Sequence, residues 1–344
     1  MVLQRSGAVG AVTTGLRCPS VSRFAHDFGK PCKNWACGAP GLRREADAAV
    51  SGLCAVIGAR VSDDHARYAP MSAVSAMALQ RSTGEARLRF DGRGSATRLR
   101  DLYQQGAAKA FIHAAPSGSA GGPEVVFLNT SGGVTGGDRL SYGLELGAGC
   151  RLTATTQTAE RAYGSLQGRA QVSVRHRLQD GAHLDWLPQE TILFDNSALE
   201  RRTDIALEGC ASCLLIEPVV LGRAAMGETV TGLVCDDRRC VTRDGVPVLI
   251  EPLRLVTAAL TAGAGILEGA RAFATLALLA RGAEDALARA RAELTESGVR
   301  GGASGFDGKL VIRLMAMDGW PLRRQIMRLL AALRPAPLPR VWHM

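Results

Sequence analysis

Gln171-Val-Ser-Val-Arg-His-Arg-Leu178 alternates without a break: Val172, Val174, His176 and Leu178 fall on one side, Gln171, Ser173, Arg175 and Arg177 on the other. Successive side chains of a strand point to opposite faces, so the pattern predicts a half-buried β-strand. His176 lies on the apolar face, where a core or edge histidine is expected rather than a metal ligand. Asp180-Gly181 then supplies a hairpin signal, and Ala182, Leu184 and Trp186 continue the alternation on a returning strand.

Outward from there the period of two persists. Glu85 to Phe90 places Ala86, Leu88 and Phe90 opposite Glu85, Arg87 and Arg89. A second Asp-Gly pair, Asp244-Gly245, joins Cys240–Arg243 to Val246–Ile250, and Pro247 marks the latter as an edge strand because proline cannot donate to a ladder. Most of 85–280 therefore reads as antiparallel β, with no internal repeat. Helix enters late. Glu284 to Thr295 carries Leu287, Ala290 and Leu294 at helical spacing, with Asp285 and Arg289 set for an ion pair. A glycine-rich break (Gly298 to Gly308) and a strand (Lys309 to Met315) follow. Leu322, Ile326, Leu329, Leu330 and Leu333 then form one apolar stripe, bounded by Pro321 in the first turn and Pro335 beyond the end. The fold class is mainly β: an elongated antiparallel scaffold of sandwich or helicoid type with two helices near the C-terminus.

Residues 1–70 mix Gly, Ala, Ser, Pro and Cys without periodicity, and Met71 opens a segment resembling a second translation start. The expected organisation is a disordered or mis-assigned extension over 1–70 and one β-rich domain over 71–344. A hydrophobic share of 47% with 21% charged residues supports a sizeable core and excludes global disorder. The net charge of +9 raises a nucleic-acid partner, but the arginines are scattered and only four Tyr and eight Phe are present, so a basic groove with stacking aromatics is not indicated. Nine cysteines, an odd number with no secretory signal, argue against a disulfide framework. Cys210-x-x-Cys213 lacks a second pair or a nearby histidine and runs into Leu214-Leu215-Ile216, which favours a buried strand thiol over a metal site. Leu276–Ala280, the longest apolar run near the C-terminus, is too short to span a membrane, and a cytoplasmic protein is expected.

Asn129-Thr-Ser-Gly-Gly-Val-Thr-Gly-Gly-Asp-Arg-Leu140 packs Gly132, Gly133, Gly136 and Gly137 between two strand-like runs and presents Asp138. A phosphate cradle fails for want of a Lys-Ser/Thr pair, of G-x-G-x-x-G spacing and of a following helix. Taken locally, the stretch is a β-turn or bulge. Further motifs are Thr155-Thr156-Gln157 with Tyr163, Leu184-Asp-Trp-Leu-Pro-Gln-Glu-Thr-Ile192 with Pro188 and Glu190, Gly222-Arg223 with Met226-Gly-Glu228, and Leu338-Pro-Arg-Val-Trp342.

In order and spacing these segments resemble the urease accessory protein family called UreD or UreH, over roughly residues 82–342. Many members carry Asn-Pro-Pro-Gly-Gly where this chain has Asn129-Thr-Ser-Gly-Gly, so a somewhat freer loop entry is expected. Residues 1–70 have no counterpart. The resemblance implies a cytoplasmic chaperone rather than an enzyme. It would bind UreF, which recruits the GTPase UreG, and dock on apo-urease so that nickel reaches the active site, with no nucleic acid, no membrane and no tightly bound cofactor. Nickel in transit needs ligands that release it, which suits carboxylates. Glu190 and Asp138 are the acids inside the motifs, although Asp138 could equally accept backbone hydrogen bonds that hold the turn. The remaining motif residues, Tyr163 and Arg223 among them, are expected to be structural or partner-contacting. The alternative from another class is a β-sandwich hydrolase using Asp138 and Glu190 as paired carboxylates, for which the supply of aromatics is thin.

Overall fold

The alternation at 171–178 is realised as a strand, Ala170–Leu178, but the strands on either side of it run parallel to it. The computed structural model describes residues 80–93, 96–114, 122–263 and 266–343. Within them lie two sheets. The first, seven-stranded, runs in the order β14 (Val246–Val256), β13 (Leu233–Arg243), β11 (Ser197–Leu207), β8 (Ala170–Leu178), β5 (Arg139–Leu146), β1 (Thr83–Arg93), β2 (Ala96–Gly106). The second runs β16 (Val299–Phe306), β17 (Lys309–Ala316), β15 (Ala272–Leu279), β12 (Ser212–Leu221), β9 (His183–Leu187), β6 (Arg151–Thr156), β4 (Glu124–Asn129), β3 (Ala108–His113), with short β7 (Glu160–Ala162) and β10 (Thr191–Leu193) joined beside β12.

From β4 to β13 the chain alternates between the sheets, laying each strand parallel to the previous one in its own sheet. The result is a β-solenoid, closed at its ends by antiparallel pairs such as β1–β2, β13–β14 and β15–β17. The mainly β class is as expected, but the antiparallel pairing expected for most of 85–280 gives way to parallel pairing in the middle. Asp180-Gly181 shows why. It forms no hairpin, because β8 and β9 belong to different sheets. It is a corner, and it stacks on two others: the N–H groups of Cys150, Ala182 and Ala211 bond to the carbonyls of Gly147, Gln179 and Glu208, and all three residues are buried. An Asp-Gly pair sets a turn; it does not decide which sheet the next strand joins. Asp244-Gly245 does make a hairpin, and β14, which carries Pro247, is an edge strand as expected.

The core between the sheets is built on Phe90, Phe127, Leu144, Leu178, Leu184, Trp186 and Leu199. A second core lies on the other face of the second sheet. There Val126, Leu187, Leu214, Ile216, Leu276 and Ile312 meet Leu322, Ile326, Leu329 and Leu330 of α3 (Gly319–Leu333). Each such side chain contributes about 1.5–3 kcal/mol by leaving water. Burial on both faces explains the unbroken apolar run that contains Cys213. Asp318 caps α3 by accepting the Trp320 N–H at 2.7 Å.

Besides α3, a single turn, α1, spans Thr257–Leu260. The helix expected over 284–295 is shorter: a 3-10 turn at Ala283–Ala286 leads into α2 (Leu287–Ala292), and the Asp285–Arg289 ion pair does not form. The expected break at 298–308 is strand β16. Its glycines admit close neighbours: a Cβ on Gly301 would lie 2.6 Å from Leu314, and one on Gly305 3.1 Å from Glu284. The expectations for residues 1–70 fall outside the described residues.

Candidate functional site

The glycine motif leaves β4 at Asn129 and crosses to β5, so residues 130–138 bridge the sheets. Asn129 organises the crossing. Its Oδ1 accepts the Ser131 N–H at 3.0 Å, while its Nδ2 donates to the Gly133 carbonyl at 3.1 Å and to the Glu160 carboxylate at 3.2 Å. Ser131 Oγ adds a bond to the Gly133 carbonyl at 3.0 Å, so the loop entry, expected to be freer without prolines, is held by side chains instead. Val134 forms a parallel bridge to Ala162. That approach demands glycine. A Cβ on Gly133, at φ +155°, would lie 2.3 Å from the Tyr163 ring and 2.7 Å from the Arg161 carbonyl oxygen. One on Gly136 would lie 2.1 Å from the Gln167 carbonyl oxygen. Gly137 donates its N–H to Arg169 O at 3.0 Å. The loop runs from strand to strand, with no helix to complete a phosphate cradle.

Asp138 is buried, and both its oxygens are engaged: Oδ1 accepts the Ser82 N–H at 2.7 Å and Oδ2 the Thr135 N–H at 2.8 Å. It pins the loop and the start of β1.

Tyr163 connects the loop to the Gly222-Arg223 motif. Its hydroxyl donates to Gly132 O at 3.1 Å, and its ring meets Phe194 edge-on, with centroids 5.0 Å apart. The Arg223 guanidinium lies 4.6 Å over the other ring and pairs with Glu228 at 2.9 Å. Glu228 in turn accepts the Asp195 N–H at 3.1 Å. The Gly222 N–H donates to Leu193 O at 2.8 Å and anchors the segment. The surface so formed exposes Tyr163, Met226 and Leu166, the last 90% exposed. Three of the motifs thus meet in one patch.

The other motifs meet around α3. Thr156 Oγ1 accepts the Gln189 N–H at 2.9 Å, and Gln157 donates its N–H to Phe127 O at 2.8 Å. Past Pro188, Gln189 is buried and donates to Val341 O at 3.1 Å. Glu190 is half-buried and ion-paired with Arg323 of α3 at 3.2 Å. Arg323 also donates to Gln189 Oε1 and lies 5.0 Å over the Trp342 ring, whose Nε1 donates to Leu187 O.

Glu160, not among the expected acids, sits between the two groups. Its backbone N–H donates to Glu190 O at 2.9 Å, its carboxylate holds Asn129, and burial raises its pKa above the ordinary carboxylate value. With Asn129, Gly132, Tyr142, Thr156 and Gln157 it lines a small cavity of about 30 Å³, room for roughly one water. Its position in the short run Gln157-Thr-Ala-Glu160 gave no periodic signal.

Between the sheets runs a seam of buried charge. Arg201 of β11 reaches Glu217 of β12 at 2.8 Å and Asp237 of β13 at 2.6 Å; Arg239 joins Asp237 at 2.5 Å and Glu251 of β14 at 3.0 Å. Trp186 Nε1 donates to Glu217 at 3.2 Å. Burial alone would favour a neutral Asp237, but Arg201 and Arg239 outweigh it and draw its pKa down to about 2. His176, on the apolar face as expected, lies 4.6 Å from the Trp186 ring, and among the described residues neither of its nitrogens has a hydrogen-bond partner. Burial lowers its pKa to about 3, so it is neutral.

Comparison with known proteins converges on one group. The sequence model described as UreD urease accessory protein matches residues 82–343. A protein of Cereibacter sphaeroides is 60% identical over 266 residues, covering 77% of this chain and 96% of the relative. One of Paracoccus denitrificans is 50% identical over 272 residues (78% and 95%), and one of Rhizobium leguminosarum bv. trifolii 46% over 271 (77% and 96%). All three bear the name urease accessory protein UreD, and a match of this depth across both sheets, the glycine loop and the α3 clasp means that the chain belongs to the UreD urease accessory protein family.

Proposed function

We propose that this chain is a non-catalytic chaperone of urease maturation, a scaffold that binds UreF and, through it, the GTPase UreG, and that docks on apo-urease in the cytoplasm while nickel is inserted. The observation that carries the reading is the family match over 82–343, which takes in every motif described above. The Tyr163–Phe194–Arg223 surface, with Met226 and Leu166 beside it, supplies a partner contact of the right chemistry: rigid aromatic and Arg anchors next to exposed apolar side chains. Nucleotide hydrolysis belongs in this scheme to the partner. Among the described residues no helix is long and apolar enough to cross a membrane.

Of the two motif acids, Glu190 suits nickel contact better than Asp138. Its side chain is 28% exposed and held by a single arginine, whereas Asp138 is buried between two backbone N–H groups. Among the described residues no group of three or more His, Cys, Asp or Glu is placed to hold a metal, so contact would be through one or two carboxylates, with water completing the shell. Residues 1–70 are dispensable in this scheme, and a chain starting at Met71 should activate urease as well as the full one.

The test is capture from cells expressing a urease operon. UreF, UreG and urease subunits should co-purify, and purified chain alone should turn over no GTP. Glu190→Gln keeps the side-chain shape and should still capture these partners, while nickel per urease active site falls in complexes of matched composition. Failure to capture urease components overturns the scaffold reading, and unchanged nickel occupancy with Glu190→Gln removes Glu190 from the path.

A further inference from the structure

Among the described residues β2 is the outermost strand of the seven-stranded sheet, and every residue of it except Thr97 is exposed. Long exposed edges invite pairing with another strand. A bulge shapes this one. Arg89 of β1 faces Asp101, Phe90 faces Leu99, and Arg100 is the extra residue between. Leu99 and Leu102 therefore point to the same side, the core side set by Phe90 and Leu88, yet remain 42% and 38% exposed. At both ends the core-side residues are tied down: Thr97 Oγ1 accepts the Arg151 N–H at 2.8 Å, and Gln104 Oε1 the Ala110 N–H at 3.0 Å. The two leucines span the uncovered gap. On the opposite face stand Arg98, across from Asp91, and Tyr103, across from Arg87.

The sequence of this edge is self-complementary. Laid antiparallel against itself with a two-fold axis between Arg100 and Asp101, the strand places Arg100 opposite Asp101 of the second copy, Leu99 opposite Leu102, and Arg98 opposite Tyr103. The leucines meet on the core side and the charged and aromatic residues on the other, so each pair shares a face. A half-step in either direction sets Arg100 or Asp101 against its own copy, like charge against like. Among the described residues Asp101 has no ion-pair partner, while Arg100 is already oriented by Asp91 at 2.6 Å. Because an isologous interface repeats each contact, every complementary pair counts twice.

We propose that β2 pairs antiparallel with β2 of a second copy of this chain, so that the two seven-stranded sheets become one continuous sheet across a two-fold axis. The occupant is a second copy because in that arrangement the charge order and the bulge-set faces match pair by pair.

Light scattering behind size exclusion, on the full chain across the micromolar range, reads the outcome. The wild type should show a concentration-dependent dimer. Arg100→Asp and Asp101→Arg should each raise the dimer dissociation constant about tenfold or more, since each sets like charges at two symmetric positions. An equimolar mixture of the two variants should dimerise again, because each copy supplies the charge the other lacks; a misfolded variant could not. Leu102→Glu, at an exposed position, should disrupt independently. A wild type that stays monomeric overturns the proposal, as does a dimer indifferent to these changes or a mixture that fails to recover. Variants that keep their oligomeric state but lose urease components would assign the edge to those partners and equally overturn it.

Discussion

Arg323 donates through Nη1 to Glu190 Oε2 at 3.2 Å and through Nη2 to the main-chain oxygens of Val341 and Trp342 at 3.3 and 3.0 Å. One guanidinium thus holds the motif acid, α3 and the terminal segment together. The pair is unequal. Arg323→Ala strips partners from Gln189 and two carbonyls and should cost about 2–4 kcal/mol. Glu190→Gln keeps a hydrogen-bond acceptor for Arg323 and should cost about 1 kcal/mol or less, the range of a partly solvated ion pair. Urea unfolding of the two variants checks the order, and a Glu190→Gln cost as large as that of Arg323→Ala would make Glu190 chiefly structural.

The glycine loop should tolerate no side chain at its crossing points. Gly133→Ala and Gly136→Ala each force backbone or ring apart, at an expected cost of about 1–3 kcal/mol. Gly149→Ala, where a Cβ would meet nothing within 4 Å, carries only the strain of its φ of +68° and should cost less than either. Thermal midpoints of the three decide the ranking.

Asp237 sits between two arginines buried with it. Asp237→Asn leaves Arg201 and Arg239 with one acid fewer in a region closed to water, and about 3–5 kcal/mol of stability should go. Asp236→Asn, on the outer face of the same strand, should change stability by about 1 kcal/mol at most. Equal effects would show that the seam does not hold the sheets together.

Acid should weaken the fold in two stages. His176 binds a proton in the unfolded chain below about 6.5 but in the folded one only near 3. Its contribution is complete above pH 6.5 and is lost progressively as the pH falls towards 3. Asp237, with its folded pKa drawn down to about 2, adds a loss below the ordinary aspartate range, from about pH 4 downwards. His176→Phe removes two unpaired buried nitrogens while keeping a ring against Trp186. It should flatten the slope of stability between pH 6.5 and 4 and leave the steeper fall below 4 intact, as unfolding curves across that range will show.

What the sequence disclosed follows from what alternation encodes. It names the inward face of a strand, and so Leu88, Val174, His176 and Trp186 are buried as read. It carries nothing about the direction of a neighbour, which is why the Asp180-Gly181 corner reads as a hairpin with an antiparallel return although β8 and β9 lie in different sheets. In charged runs such as Glu200-Arg201-Arg202 and Asp236-Asp237-Arg238-Arg239 every residue looks fit for water, and only the pairing across two sheets reveals which of them turn inward. Strand β16 was hidden for the opposite reason: Gly301, Gly302 and Gly305 have no side chains to alternate. At the site, the turn role of Asp138 was legible as one of two options, but Glu160 and Arg323 became visible only when segments distant in sequence were brought side by side.

The stacked corners make this molecule behave like a zipper. Each coil finds its place on the strand edges left by the coil before it, so order spreads from neighbour to neighbour rather than closing all at once. A lesion in the central teeth, at Trp186 or the Ala182 corner, severs two lengths of fastening and bares a raw edge on each. A lesion at an outermost strand merely lets the end fray.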